Sequence, residues 1–223
     1  MQGLVLVNDR PHSKPGERPP LSAILRVKGG PPRQFVSRGG DKLIGALTDL
    51  KLTVTGLRCL DVGAATGGFS DCLLQAGAAE SCCVDVGYGL LADRLRRDPR
   101  VTVRERTNAR LLQPADLPWP PDLIVVDASF IGARALLPAL SAVAAPQGLL
   151  LIMVKPQFEL PAAEVGLGGV VRDDDARLRA AASVAVAAAE LGWQVRGQAD
   201  SQVAGPQGNR EIFLLLDRSD KDV

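Results

Sequence analysis

The stretch Asp61-Val62-Gly63-Ala64-Ala65-Thr66-Gly67-Gly68-Phe69 joins an apolar, strand-like run to a helix-like segment. Glycines at such a turn let the backbone approach a ligand closely, and the following helix begins with backbone N–H groups that lack a partner within the helix. The stretch is not a dinucleotide fingerprint, because Ala65 stands where G-x-G-x-x-G has its middle glycine. It is not a P-loop either, since no Gly-Lys-Ser/Thr follows. The stretch therefore fits a ligand-binding turn of another kind, although glycine-rich turns of this type also occur without a ligand.

Short apolar runs and helix-like segments alternate from residue 58 onward, which is typical of a parallel sheet with helices on both faces. The predicted strands cover residues 58–62, 81–86, 101–104, 123–127, 149–154, 193–198 and 211–217. The predicted helices cover residues 40–50, 68–76, 90–97, 133–143 and 174–191, with Ser37 capping the first and Asp173 at the start of the last. Turn-forming residues 204–209 would make the last two strands antiparallel. The sequence therefore predicts a doubly wound, Rossmann-like α/β sheet of about seven strands with an antiparallel last strand.

The charge balance of the chain neither favours nor excludes nucleic acid. Its 223 residues suffice for one domain plus an appendage, and the formal net charge is +1. RNA-binding proteins usually present a concentrated basic surface, so affinity for RNA would have to come from local clusters. The candidate clusters are Arg94, Arg96 and Arg97 in one segment, and Lys28, Arg33 and Arg38 in another. Such clusters also occur on solvated loops and helix faces.

The cysteines are expected to be reduced and free of metal. Cys59, Cys72, Cys82 and Cys83 lack a Cys-x-x-Cys framework, and the single histidine lies far from them in sequence. The chain does not open on the long apolar run of a secretory signal. The longest helix candidate of low charge, residues 180–189, is too short to span a bilayer. These features predict a cytoplasmic protein without a metal centre or a membrane segment.

Acidic and basic side chains follow several predicted strands. Asp85 ends the second strand, where a Rossmann-type domain places a carboxylate that accepts hydrogen bonds from a ribose diol. Asp127 ends the fourth strand and Lys155 ends the fifth. Because the carboxyl ends of parallel strands border one crevice, we expect these side chains to converge there.

Four charged residues lie in distinctive short sequence motifs. Lys42 lies in SRGGDKL, Asp127 in VVDASF, Lys155 in MVKPQFE and Glu211 in GNREIF. Each residue alone would most simply be a solvated side chain at a helix, a strand end or a sheet edge. Together with the turn at 61–69, and in this order, they resemble the FtsJ-like ribose 2'-O-methyltransferases. Within that group they are most similar to the hemolysin-A (TlyA-type) ribosomal RNA methyltransferases, over roughly residues 33–217.

The resemblance implies a class I methyltransferase with S-adenosyl-L-methionine as its cofactor. The implied cofactor-binding residues are Asp61, Gly63, Gly67, Gly68, Phe69, Asp85, Asn108 and Asp127, with Asn108 near the adenine amino group. The implied catalytic residues are Lys42, Asp127, Lys155 and Glu211, with Lys155 as the general base. The implied partners are ribosomal RNA or ribosomal subunits, with cytidine riboses as targets. The motif VVDASF also differs from the Asn-Pro-Pro-Tyr type of sequence found in amino-group methyltransferases. This difference favours an oxygen atom as the acceptor of the methyl group.

A ribose hydroxyl is a poor nucleophile until a base removes its proton during the attack. Lysine can act in this way only when it is partly neutral, and two neighbouring lysines disfavour double protonation. We therefore expect Lys42 and Lys155 to form such a pair, with Asp127 and Glu211 as opposing charges. General-base catalysis of this kind is typically worth ~10²–10⁴-fold in rate.

The N-terminal region differs in character from the rest. Residues 4–11 and 23–27 have the composition of two short strands around a proline-rich loop, and residues 29–32 that of a linker. By resemblance, residues 1–32 correspond to the C-terminal half of an αL-type RNA-binding module, and its helical half is expected to be missing. Residues 33–218 would form the methyltransferase domain and residues 219–223 a tail.

Two other functions stay open on sequence grounds. A non-catalytic RNA- or ribosome-binding protein could retain the fold, although the four intact charged residues speak against it. A small-molecule O-methyltransferase would suit the near-neutral charge and the truncated module, although Lys155 with Glu211 matches ribose chemistry. The glycine-rich segment 166–173 would be either a mobile cover of the site or a plain loop.

Overall fold

The computed structural model describes residues 5–8, 10–11, 18–27, 34–205 and 207–218. The chain divides into two compact units, Met1–Gln34 and Phe35–Val223. Several predictions fall outside the described residues, namely the linker at 29–32, the basic residues Lys28 and Arg33, most of the proline-rich loop, and the tail at 219–223.

The first unit contains a three-stranded antiparallel sheet. Its strands are β1 (Val5–Val7), β2 (Arg10–Pro11) and β3 (Leu25–Val27), in the spatial order β2-β1-β3. The first apolar run thus forms two strands where one was predicted. The chain reverses after β1 at Asn8, whose φ of +52° lies in the left-handed region that asparagine tolerates better than most residues.

The second unit is built on a seven-stranded mixed sheet. Its strands are β4 (Arg58–Val62), β5 (Glu80–Val84), β6 (Val101–Arg104), β7 (Leu123–Val126), β8 (Leu149–Val154), β9 (Trp193–Asp200) and β10 (Ile212–Arg218). Their spatial order is β6-β5-β4-β7-β8-β10-β9. The strands from β4 to β8 are mutually parallel, and β10 runs antiparallel to both β8 and β9. The predicted fold class is confirmed.

Six α-helices accompany this sheet in the described part of the chain. They are α1 (Arg38–Asp49), α2 (Gly68–Gln75), α3 (Asp93–Arg96), α4 (Leu137–Val143), α5 (Pro156–Glu159) and α6 (Asp174–Ala189). Both predicted caps are confirmed. Ser37 Oγ accepts a hydrogen bond from the Gly39 N–H at 3.3 Å, and Asp173 Oδ1 accepts one from the Asp175 N–H at 3.0 Å. Each cap satisfies an N–H group that has no partner within its helix.

The central strands are apolar along their whole length because both faces of the sheet are covered. Successive residues of a strand point to opposite faces, so Ile124 and Val126 belong to one core and Leu123 and Val125 to the other. The first core includes side chains of α4 and α6, and the second includes side chains of α1 and α2. The sheet is therefore a buried middle layer whose strand ends are free to carry polar groups.

Two helical predictions differ from the structure, and one helix was not predicted. The helix predicted at 90–97 is shortened to α3, because Gly89 has a φ of +69° and Ala92 has a non-helical ψ of 137°. The helix predicted at 133–143 is broken into a 3₁₀ turn, Ala133–Ala135, followed by α4. Pro138 has no N–H to donate to the residue four positions earlier, which places it in the first turn of a new helix. The short helix α5, which begins at Pro156, was not predicted.

The four cysteines are unpaired and buried. Burial raises the pKa of the Cys59, Cys72 and Cys83 thiols to about 12 and that of Cys82 to about 11, so these thiols stay protonated at neutral pH. Among the described residues, no helix is both long and apolar enough to cross a membrane.

Candidate active site

The carboxyl ends of β4, β5 and β7 border a cavity of about 530 Å³. A cavity of this volume is in the range that holds a small-molecule ligand. Four of the residues predicted to bind a cofactor line it, namely Gly63, Asp85, Asn108 and Asp127. The other four, Asp61, Gly67, Gly68 and Phe69, are not among its lining residues.

Asp85 joins the glycine-rich turn to the end of β5. Its Oδ2 accepts a hydrogen bond from the Ala65 N–H at 2.8 Å, and its Oδ1 accepts one from the Gly87 N–H at 2.6 Å. A carboxylate oxygen can accept two hydrogen bonds, so each oxygen keeps capacity for a ligand hydroxyl. Asp85 is therefore held in place by the backbone and still has acceptor sites for a ligand in the cavity.

Gly63 lies where the turn passes close to the end of β7. It has a φ of +83°, and a Cβ at this position would lie 2.7 Å from the carbonyl oxygen of Asp127. Any side chain here would therefore force the two strand ends apart. The close approach therefore holds Asp127 next to the glycine-rich turn that lines the cavity.

Asp61 is completely buried beneath the turn rather than in the cavity. Its Oδ2 accepts hydrogen bonds from the Ser70 N–H at 3.0 Å and from the Ser70 Oγ at 2.7 Å. Helix α2 begins after Gly67, which has no side chain to cap it, so Asp61 supplies the cap from the neighbouring strand. Burial raises the pKa of the Asp61 carboxyl to about 7, against the lowering effect of the Ser70 hydrogen bonds.

Gly67, Gly68 and Phe69 position the turn through packing. A Cβ on Gly67 would lie 2.3 Å from the Leu95 side chain, and one on Gly68 would lie 2.2 Å from the Ser37 Oγ. Phe69 is buried, with its ring centroid 6.1 Å from that of Phe213. The residues of the turn that do not line the cavity thus fix the path of those that do.

The structure brings the four predicted catalytic residues together as two ion pairs. Lys42 Nζ lies 2.5 Å from Glu211 Oε2, and Lys155 Nζ lies 2.7 Å from Asp127 Oδ1. Three of these side chains are at most 9% exposed, while Asp127 is 25% exposed and faces the cavity. Each lysine is thus paired with one of the two carboxylates that were expected as opposing charges.

The two pairs influence each other electrostatically. Burial raises the pKa of the Glu211 carboxyl, while the hydrogen bond and charge of Lys42 and the charge of Lys155 act to lower it. The negative charge of Asp127 acts in the same direction as burial. The carboxylate of one pair therefore responds to both members of the other, and the four groups form one charged cluster.

Three further polar residues at this edge were not predicted. Ser129 Oγ accepts a hydrogen bond from Lys155 Nζ at 2.7 Å. Glu159 is buried, accepts a hydrogen bond from the Ala133 N–H and pairs with Arg134. Asn209 is buried and ties the loop at Gly169 and Val171 to the approach to β10. Each lies within one of the four short motifs that contain a predicted catalytic residue. Its place in such a motif is the feature of the sequence that could have identified it.

Two of the three arginines in the basic cluster predicted at 94–97 are closely paired with carboxylates, and the third has only a long contact between exposed side chains. Arg94 pairs with Asp71, Arg96 with Glu105, and Arg97 with Asp93. Arg38, four residues before Lys42, is exposed and has no carboxylate partner among the residues that the structure describes. Within the same part of the chain, no group of three or more His, Cys, Asp or Glu side chains is arranged to hold a metal ion.

Comparison with known proteins identifies the family to which the chain is related. The model of the FtsJ-like methyltransferase family matches residues 35–218. The 16S/23S rRNA (cytidine-2'-O)-methyltransferase TlyA of Mycobacterium tuberculosis is 47% identical over 214 residues, which are 96% of this chain and 80% of that protein. Hemolysin A of Brachyspira hyodysenteriae is 34% identical, over 81% of this chain and 75% of that protein.

A solved structure of a candidate hemolysin from Streptococcus thermophilus has the same fold. It superposes with a TM-score of 0.82 at 37% sequence identity, over 98% of this chain and 80% of that one. The family match covers most of the chain. The 47% sequence identity with the M. tuberculosis protein extends over 96% of the chain, which is ample to show a common family. The chain belongs to the FtsJ-like methyltransferase family.

Proposed function

We propose that this protein methylates the 2'-oxygen of cytidine riboses in ribosomal RNA, with S-adenosyl-L-methionine as the methyl donor. The observation that carries the proposal is the amine of Lys155, held by Asp127 and Ser129 at the edge of the cavity. The names of the relatives support ribosomal RNA and cytidine as the substrate. The donor is proposed from the family and from the fit of the cavity described above.

The residues of the cavity suit the nucleoside part of the donor. Asp85 has unused acceptor sites for the two hydroxyls of a ribose. Asn108 also lines the cavity and carries an amide, which can recognise the edge of an adenine. Asp127 lines the cavity as well and, as a member of the cluster of four charged residues, joins the donor space to that cluster. When bound, the donor would supply an activated methyl group on its sulfonium.

Lys155 is assigned the general base. Its amine would take the proton of the ribose 2'-hydroxyl as the oxygen attacks the methyl group. Asp127 and Ser129 hold the amine by hydrogen bonds. The negative charge of Asp127 also stabilises the positive charge that the amine carries once it has taken the proton. Lys42 and Glu211 form a buried pair that would orient the acceptor ribose and fix the net charge of the cluster. Much of the remaining acceleration would come from holding acceptor and donor in line.

This assignment gives each residue of the cluster a task, and it places the reaction where ribosomal subunits are found. We therefore propose a cytoplasmic location, which the protonated, unpaired cysteines suit.

The test is incubation of the protein with ribosomal subunits and a donor that carries an isotopically labelled methyl group. After digestion of the RNA to nucleosides, we expect the label in 2'-O-methylcytidine. Label on a base instead of a ribose would contradict the ribose mechanism. Binding to subunits without transfer would favour the non-catalytic alternative, and transfer to small hydroxylated molecules but not to RNA would favour the small-molecule alternative.

A further inference from the structure

The loop after β7 places a hydroxyl directly against the amine of Lys155. Ser129 Oγ accepts a hydrogen bond from Lys155 Nζ at 2.7 Å, the same distance as that to Asp127 Oδ1. Ser129 and Asp127 both line the 530 Å³ cavity, whereas Lys155 is not among its lining residues. The two side chains that hold the amine are therefore the ones that border the space assigned to the donor.

We propose that Ser129 is a positioning residue for the methyl transfer, which sets the direction in which the amine of Lys155 meets the acceptor hydroxyl. This inference rests on the proposed function, because it requires Lys155 to act as the base. It adds a fifth side chain to the cluster of four charged residues and gives that side chain a task that a charged group does not perform.

The geometry of an amine explains why a second acceptor matters. A protonated lysine has three N–H groups and no acceptor site. When two N–H groups are donated to Asp127 and Ser129, one direction remains, and loss of that proton leaves the lone pair there. Without Ser129, the amine could rotate about its Cε–Nζ bond and still donate to Asp127. The lone pair would then point toward the acceptor for only part of the time.

The loop that carries Ser129 is held at both ends. At its start, the Asp127 N–H donates to the Val62 carbonyl at 2.9 Å. At its end, the Ala133 N–H donates to the buried carboxylate of Glu159, four residues after Lys155 in the chain. Phe130, next to Ser129, has a φ of +67°, in the left-handed region that a non-glycine residue keeps only where the surrounding structure holds it. A loop fixed in this way can hold an exposed serine in one place.

The experiment compares the variants Ser129→Ala and Ser129→Thr with the wild-type protein. Ser129→Ala removes the acceptor, so we expect kcat to fall by about tenfold or more, the scale of a lost hydrogen bond to a charged group. KM for ribosomal subunits and the calorimetric affinity for S-adenosylhomocysteine should stay within about twofold, since neither depends on the direction of the amine. Ser129→Thr keeps the hydroxyl and should restore most of kcat.

The matched control is Ser183→Ala. The Ser183 hydroxyl donates to the Ala180 carbonyl within α6 at 2.8 Å, so its removal should leave kcat unchanged. Thermal melts of all variants establish that they are folded, which the exposure of Ser129 leads us to expect.

Three results would overturn the assignment of Ser129. They are an unchanged kcat in Ser129→Ala, a loss of donor affinity in that variant, or a threonine variant as slow as the alanine variant. A wild-type protein that transfers no methyl group to ribosomal RNA would instead overturn the proposed function. The two failures are distinguishable because the second is read from the wild-type protein alone.

Discussion

Asp61 is identified by its place in a glycine-rich motif, yet its carboxylate holds the motif together from below. It caps α2 through Ser70 and has one oxygen, Oδ1, without a hydrogen-bond partner among the described residues. The sequence could place Asp61 beside the turn because strand, turn and helix follow one another directly. It could not show which way the side chain points, because that depends on Ser70 and on the strands packed beside it.

The raised pKa of Asp61 makes the stability of the fold depend on pH. Its folded-state pKa of about 7 lies above the ordinary value of 3.8, so the contribution to stability is complete below about pH 4 and is lost as pH rises through 7. Asp127 and Asp85 add to the effect, and Ser70 opposes it. Asp61→Asn has no such titration. We therefore expect the free energy of unfolding of the wild type, relative to that of Asp61→Asn, to fall between pH 4 and 7.

Urea denaturation of both proteins at several pH values measures this difference. The largest slope that a single proton can produce is about 1.4 kcal/mol per pH unit. A difference that stays constant across the range would mean that Asp61 is ionised throughout, and the cap would then be a charged one.

Helices α1 and α2 pack against each other at their N-terminal ends. Their first turns meet so closely that a Cβ on Gly68 would lie 2.2 Å from the Ser37 Oγ and 3.0 Å from the Gly40 backbone nitrogen. This contact explains why SRGGDKL and the turn at 61–69 are both rich in glycine. It also couples the helix that carries Lys42 to the turn that borders the cavity. The sequence indicated both glycine pairs, but it did not indicate that they pack against each other.

Gly68→Ala and Gly39→Ala form a matched pair that tests this coupling. The added methyl group of Gly68→Ala has to separate the two helices, at a cost of roughly 1–3 kcal/mol in stability. Donor affinity should weaken as well, because the turn moves with α2. In Gly39→Ala the closest contact of the new Cβ is 3.3 Å, which small shifts can relieve. Denaturation and calorimetry with S-adenosylhomocysteine measure both effects, and equal losses in the two variants would contradict the account.

Element boundaries were predictable where local chemistry decides them. β4, β6 and β8 have the predicted limits because each ends where a turn or a charged residue follows, and β8 is in addition a continuous apolar run. The breaks around α3 and α4 come from single backbone conformations and from Pro138, which a helical pattern does not register. α5 has only four residues, too few to show any periodicity.

In the molecule as a whole, the sequence predicted the family, the fold and the opposing charges of the site, but not which lysine pairs with which carboxylate. Lys42 and Glu211 are separated by 169 positions and meet only because β10 inserts between β8 and β9. The same folding pairs Arg94 and Arg96 with carboxylates, although the segment 94–97 looked like a basic patch in the sequence. Unpaired positive charge near the site has to be sought elsewhere, and Arg38 is the nearest candidate in sequence to Lys42.

The small net charge predicts weak and salt-sensitive binding of free RNA. Contacts to phosphates dominate such binding, and each one that is lost lowers the salt dependence by about one unit of slope. We expect Arg38→Gln to weaken binding and to reduce the slope, because this exposed side chain has no carboxylate partner in the described part of the chain. Arg96→Gln is the control, since Arg96 Nη2 lies 2.5 Å from Glu105 Oε1 and its charge is already compensated. Titration of RNA at two or more salt concentrations measures both, and equal slopes for the two variants would contradict the prediction.

The role of Lys155 as general base is tested by comparing Lys155→Ala and Lys155→Arg in single-turnover methylation of ribosomal subunits. Arginine can stay paired with Asp127 but is not deprotonated in proteins, so it separates the charge of Lys155 from its action as a base. The account predicts that both variants keep their affinity for S-adenosylhomocysteine and form 2'-O-methylcytidine at least ~10²-fold more slowly than the wild type. A rate for Lys155→Arg close to that of the wild type would show that Lys155 acts only through its charge, and near-normal rates for both variants would contradict the ribose mechanism altogether.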